Sequence, residues 1–145
     1  MGTLYLVRHG QASFGAKDYD QLSPRGKEQA LLLGEHWRAR GMQFDAVITG
    51  TLRRHTQTLH GIAQGLQITP EVVQMPSLNE YDSQALIAAI HPQPLGKADT
   101  PELYRQHFRI LCDALAQWMA GVISPQGMTS WAEFSGGVRA VMEHV

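Results

Sequence analysis

An α/β fold built on a mostly parallel sheet is what this sequence predicts, and a few observations carry the prediction. Between residues 3 and 75, short apolar runs alternate with helical patterns as strand, helix, strand, helix, strand. Right-handed crossovers turn that rhythm into a parallel sheet. The first run, Thr3-Leu4-Tyr5-Leu6-Val7, is apolar on both faces, as a strand buried between layers would be. Helix punctuation falls where the alternation needs it, with Ser23-Pro24 at one start and Gly41 at the matching end.

Residues 3–8 form the first expected strand, which runs into Arg8-His9-Gly10. Residues 10–21 are polar, contain Gly15 and have no periodicity, so they predict a surface loop leaving the strand at its carboxyl end. After Ser23, Ala30, Leu33 and Trp37 recur at helical spacing and mark a core-facing stripe. Residues 45–49 predict a second strand. Leu52, Leu59, Ile62 and Leu66 stripe a helix over 52–67, and residues 71–75 predict a third strand. After Glu80 the pattern turns helical. Residues 83–90 predict a short helix, and 91–100, with Pro92, Pro94 and Gly96, a loop. Thr100-Pro101 opens a long helix striped by Leu103, Phe108, Leu111, Leu115 and Met119. Gly127 breaks the chain, and Thr129 or Ser130 caps a last helix carrying Trp131, Phe134, Val138 and Val141. Gly136-Gly137 inside it costs about 1 kcal/mol per glycine relative to alanine, which predicts a kink or an early break.

The 145 residues are 43% hydrophobic, enough for one globular domain with its own core. A formal net charge of -1 argues against a generic nucleic-acid or anionic-membrane surface, while leaving room for a local cationic pocket. Cys112 is the single cysteine, so no intrachain disulfide forms, and a reducing compartment is compatible. No apolar run approaches the roughly 18 residues of a membrane span. The N-terminus lacks the basic start and apolar stretch of a secretory signal, so the expected location is the cytoplasm. The 7 histidines show no metal-ligand spacing: His55 and His60 do not share a helical face. Ser135-Gly136-Gly137 lacks the lysine and the strand-turn-helix setting of a nucleotide-binding loop.

The candidate chemistry starts at Arg8-His9-Gly10. Ligands bind at the carboxyl ends of the strands in an open parallel sheet, so an imidazole and a guanidinium would meet solvent together there. Histidine can act as a nucleophile, and arginine can hold a phosphoryl group in a two-pronged grip. Arg53-Arg54 follows the second strand at a helix start, where exposed N–H groups and the helix dipole favour an anion. Arginine is disfavoured by that dipole, so its presence points to an anion nearby. One of the two arginines should face the crevice, and Arg53 is the one expected at the surface. Glu80, after the third strand, could act as an acid toward a leaving oxygen. Gln11 and Ser13 add neutral hydrogen-bonding groups in the loop after His9.

At these residues the chain resembles the histidine phosphatase superfamily, also called the phosphoglycerate mutase-like family. The blocks that carry the resemblance are Leu6-Val7-Arg8-His9-Gly10, Leu22-Ser23-Pro24-Arg25-Gly26-Lys27-Glu28-Gln29-Ala30, Leu52-Arg53-Arg54-His55-Thr56-Gln57-Thr58 and Leu78-Asn79-Glu80. Their order and spacing suit the cofactor-independent phosphatase branch. The resemblance implies a three-layer α/β/α fold spanning residues 1–145 as a single, incomplete domain, with 82–128 as a helical cap-like insertion. It implies His9 as the nucleophile that becomes phosphohistidine, with Arg8 and Arg54 on the phosphoryl oxygens and Gln11 and Ser13 as further phosphate-binding candidates. Glu80 matches the proton donor, which protonates the leaving alkoxide and then activates water. The arginines carry the charge, so neither metal nor cofactor is implied. The implied partner is a small phosphorylated metabolite, with no nucleic acid and no membrane.

The departures from the family pattern carry expectations too. Gln11 and Gly15 stand where the family often has an acidic residue and an asparagine, and Gly50-Thr51 replaces a common Ser-Pro. The family's second pocket histidine, in a His-Gly-Gly turn on a late strand, has no counterpart, because His144 has neither the strand nor the turn. A truncated sequence lacking that late strand and the final helix is therefore expected, or else a partner chain, such as a second copy in a homo-oligomer, that fills the gap. Without the late strand, the first strand exposes an unpaired edge and apolar side chains. A chain ending at Val145 is then expected to be poorly active, prone to aggregate or oligomeric. The expected function is phosphomonoester hydrolysis through phosphohistidine. The alternatives are a phosphoglycerate mutase-type transferase, which returns the phosphoryl group to a second hydroxyl, and a non-catalytic remnant that holds phosphorylated ligands. A phosphohistidine protein phosphatase predicts an open pocket, and the helices after Glu80 argue against it.

Overall fold

A computed structural model describes residues 2–13 and 18–145. Gly15, the loop position noted above, lies outside the described residues. The chain forms two compact units, one within Met1–Asn79 and the other Glu80–Val145.

In the first unit, α1 (Pro24–Ala39) starts as the sequence predicts. Ser23 stays extended and its Oγ accepts from the Gly26 N–H at 3.1 Å, while Pro24 takes the first helical position. Gly41, at φ +63°, carries the chain out of the helix in a left-handed conformation. β1 (Val47–Thr49) and β2 (Val72–Gln74) pair in parallel, with Val47 opposite Val72 and Thr49 opposite Gln74. α2 (Arg53–Leu66) is the crossover between them. Buried Ala30, Ile62 and Leu66 form the core, with Leu33, Trp37 and Phe44 packed against it. The backbones of α1 and α2 touch. A Cβ on Gly34 would overlap the Ile62 carbonyl oxygen, and one on Gly65 would overlap that of Leu31.

The α/β class and the parallel sheet agree with the sequence, but the sheet holds two strands among the described residues. The expected first strand does not form. Residues 3–8 carry no ladder, and Leu4, Tyr5, Leu6 and Val7 are exposed, Leu6 at 82%. Strand structure is a property of pairing, because each residue's N–H and C=O must find a neighbour. No described strand lies against this segment. What anchors it is aromatic: the Tyr5 ring meets Trp37 and Phe44 edge-on, with centroids 6.0 and 5.7 Å away.

The second unit holds α3 (Ser83–Ile90), α4 (Pro101–Met119) and α5 (Trp131–His144). Asp82, Thr100 and Ser130 cap them through their side chains, and Ser130 forms a reciprocal capping box with Glu133. Their core is Leu86, Ala114 and Trp118, ringed by Tyr81, Trp131 and Phe134 among others. Two expectations need correction here. The inner face of α4 runs through Leu103, Ala114 and Trp118 rather than Phe108 and Met119, which are 67% and 52% exposed. Apolar residues lie on two adjacent faces of α4, and packing against α3 selects the one that holds Ala114 and Trp118. Gly136-Gly137 does not break α5, which runs unbroken from Trp131 to His144. Among the described residues, no helix is long and apolar enough to cross a membrane.

Candidate active site

His9 is held by its neighbours rather than by a sheet. The Gly10 N–H donates to Thr58 Oγ1 at 3.1 Å, and that hydroxyl donates to the Arg54 carbonyl at 2.8 Å, one turn back along α2. Gly10 and Gly26 are pressed together so closely that a Cβ on Gly10 would overlap the Gly26 carbonyl oxygen. The His9 Nδ1 lies 2.6 Å from the Gly10 carbonyl oxygen. A carbonyl can only accept, so Nδ1 is the donor, and in the neutral ring the lone pair sits on Nε2. The His9 ring lies beside that of His55, with centroids 6.0 Å apart and planes at 33°.

His9 therefore stands against the first turn of α2, and that turn has an unusual cap. Its N-cap residue, Leu52, has no side chain able to accept a hydrogen bond. Two residues from elsewhere in the unit take over. Asn79 Oδ1 accepts from the N–H groups of Thr51 at 2.8 Å and Leu52 at 3.3 Å, while its Nδ2 donates to Thr51 Oγ1 at 2.7 Å. Asp20 accepts from the Arg53 N–H at 2.9 Å, the Arg54 N–H at 3.2 Å and Arg54 Nη1 at 2.9 Å. The anion that the sequence implied at this helix start is thus the chain's own Asp20. Arg54 is 7% exposed and its guanidinium lies over the Tyr19 ring at 5.4 Å, while Arg53 faces solvent and pairs with Asp18.

Burial raises the Asp20 pKa, but the N–H groups of Arg53 and Arg54 and the Arg54 guanidinium outweigh it and hold the carboxyl below its ordinary 3.8. The folded chain therefore holds this carboxylate ionised at a pH where the unfolded chain takes up a proton. The contribution of Asp20 to stability is complete above about pH 5 and is lost as pH falls through 3.8 toward the lower folded value. In urea unfolding, the gap between wild type and Asp20→Asn is expected to be widest near neutrality and to close toward pH 3.

The other expected site residues fall as follows. Arg8 is exposed, next to His9. Gln11 works at the start of α1: its N–H donates to Gln29 Oε1 at 2.9 Å, its Oε1 accepts from Ser23 Oγ at 3.0 Å, and its carbonyl accepts from the Ser23 N–H. The Ser13 N–H donates to the Gln21 carbonyl at 2.9 Å, beside the antiparallel bridge of Ala12 with Leu22. Glu80 is the exposed first residue of the second unit. The structure thus gathers His9 and the Arg54 turn of α2 and ties Gln11 to the cap of α1. Sequence reasoning missed Asp20, His55, Thr58 and Asn79. For Asp20 a signal existed: Asp18 and Asp20 precede two arginines at a helix start that has no capping side chain of its own.

Comparisons with known proteins give one family. The pattern of the histidine phosphatase superfamily (branch 1) matches residues 4–145. A broad-specificity phosphatase of Saccharomyces cerevisiae is 39% identical over 61 residues, covering 38% of this chain and 26% of the yeast protein. A 2,3-bisphosphoglycerate-dependent phosphoglycerate mutase of Bartonella bacilliformis is 34% identical over 88 residues, covering 55% of this chain and 42% of the mutase. The chain therefore spans less than half the length of these curated relatives. Among solved structures, one titled "Mycobacterial hydrolase 1" superposes with a TM-score of 0.55 at 19% identity, over 94% of this chain and 61% of that one, a likeness of fold. With the family pattern matched from Leu4 to the last residue, the chain belongs to the histidine phosphatase superfamily, branch 1.

Proposed function

We propose that this protein is a phosphomonoester hydrolase that works through a phosphohistidine at His9 and needs no metal. The observation that carries the reading is the bond from His9 Nδ1 to the Gly10 carbonyl, which puts the nucleophilic lone pair on Nε2. In the first step Nε2 attacks phosphorus. A P–N bond forms as the ester P–O bond breaks, and the leaving alkoxide takes a proton from Glu80. In the second step water attacks, Glu80 takes its proton, and the P–N bond breaks to release phosphate. The phosphoryl oxygens carry the charge that fixed cations stabilise, so Arg54 and Arg8 are the proposed ligands. Gln11 and Ser13 are proposed to add neutral contacts. A small phosphorylated metabolite in the cytoplasm is the proposed substrate.

The likeness to phosphoglycerate mutases favours a second reading, in which the phosphoryl group returns to another hydroxyl instead of water. One set of assays separates the readings. With p-nitrophenyl phosphate and a rapid acid-free quench, the intact mass of the full chain is expected to rise by one phosphoryl group, and His9→Ala is expected to show no rise. Isomerisation of 3-phosphoglycerate that depends on a bisphosphate primer would select the mutase. No adduct in wild type would leave a phospho-ligand binding remnant.

A further inference from the structure

Gly50 is buried, yet it is not one of the positive-φ glycines, which among the described residues are Gly41, Gly121 and Gly127. Conformation therefore does not call for glycine there, but space does. A Cβ at Gly50 would overlap Nδ1 of His55 and stand 2.7 Å from Asn79 Oδ1. Asn79 cannot easily yield, because its amide is fixed by Thr51 through both its oxygen and its nitrogen. The missing side chain thus makes room for one particular ring. That ring lies in the first turn of α2, next to Arg54, and its centroid is 6.0 Å from that of His9. Nδ1 faces the seat formed by Gly50 and Asn79, so Nε2 is the nitrogen turned away from it.

We infer that His55 is a second imidazole of the phosphoryl site, donating a hydrogen bond to a phosphoryl oxygen at His9, and that Gly50 and Asn79 form its seat. The inference rests on the phosphohistidine reading of His9. A phosphoryl group at His9 extends a few ångström beyond the ring (the radius of a PO3 unit and one hydrogen bond), within reach of a neighbour whose centroid is 6.0 Å away. Of the groups on this turn, Arg54 supplies charge and His55 supplies a directional donor, and the two are adjacent in sequence because α2 starts there.

Inorganic phosphate is the probe, titrated into the full chain and followed by the imidazole Cε1–H resonances, with phosphohistidine trapping and urea midpoints measured alongside. His55→Ala is expected to weaken phosphate binding about tenfold or more, the scale of a lost charge-assisted hydrogen bond. His55→Gln is expected to recover part of that loss, since its amide still donates. Gly50→Ala is expected to weaken phosphate in the presence of His55 and to add nothing in the His55→Ala background. Unchanged phosphate affinity in His55→Ala, with or without a lower urea midpoint, overturns the inference, while trapping in wild type keeps the His9 reading standing. Equal effects of Gly50→Ala in both backgrounds overturn the seat. Failure of wild type to trap a phosphoryl group overturns both readings together.

Discussion

Asp20→Ala is expected to lower stability at neutral pH by about 2–3 kcal/mol, read as a fall in the urea midpoint at unchanged slope. Two losses add up to this figure. Removing a helix cap costs about 1 kcal/mol. Removing the carboxylate also takes the Asp20 acceptor away from Nη1 of Arg54, a residue that is 7% exposed. In a fully buried pair that loss runs to about 3–5 kcal/mol, but the Asp20 side chain is 38% exposed, and water screening reduces it to about half or less. Asp20→Asn keeps the shape and one acceptor, so it should cost roughly half as much as alanine. The same substitutions should also slow phosphohistidine formation. Arg54 is the proposed phosphoryl ligand, and a cationic ligand displaced by about an ångström costs on the order of a hundredfold in rate. An alanine variant with wild-type midpoint and wild-type trapping rate would mean that Asp20 neither caps nor aligns anything.

Gly34→Ala is expected to destabilise by about 2–3 kcal/mol, against the usual sign of that substitution. Inside a helix, alanine normally stabilises over glycine by about 1 kcal/mol. Here the added methyl would overlap the Ile62 carbonyl and stand 2.9 Å from the Gly65 Cα. Those are backbone atoms of α2, and they cannot rotate out of the way. α1 and α2 would have to part, which would loosen Ala30, Ile62 and Leu66 together. Gly136→Ala is the internal control, because nothing lies within 4 Å of a Cβ built there. It is expected to stabilise α5 by close to 1 kcal/mol, as propensity alone dictates. Two glycine-to-alanine changes in one protein should thus move the thermal midpoint in opposite directions. If both move it the same way, the close approach of α1 and α2 is not what sets the effect.

The contrast also marks what a reader of the sequence could see. Helix starts were legible because their causes are local. Ser23-Pro24, Thr100-Pro101 and Ser130 each carry the hydrogen bond or the fixed φ that begins a helix within four residues. The pairing of β1 with β2 was legible because the helix between them enforces it. Residues 3–8 were not, since an apolar run announces a wish to be buried and says nothing of whether a neighbour is there to pair. Phase failed in α4 for a related reason: Phe108 and Ala114 both sit at helical spacings, and only packing decides between faces.

At the candidate site, the motif singled out His9 and Arg54, and the structure brings His9 against the turn of α2 that holds Arg54. The anion at the start of α2 was legible as a need, but its source was not, because Asp20 reaches Arg54 across 34 residues of chain. His55 was set aside as one of several scattered histidines. Its proximity to His9 depends on how the loop after His9 docks through Gly10 and Thr58, which no local pattern encodes.

The contact between Gly10 and Gly26 has its own consequence for how this protein can vary. Main chain lies on main chain there, with no side chain to trim, rotate or exchange. Side-chain changes nearby, as at Ser13, can therefore leave the backbone position of His9 where it is. The interlock itself offers no graded adjustments: any larger residue on either face pries the motif open. In a saturation library Gly10 and Gly26 should tolerate no replacement, the footprint of a joint that either closes or fails.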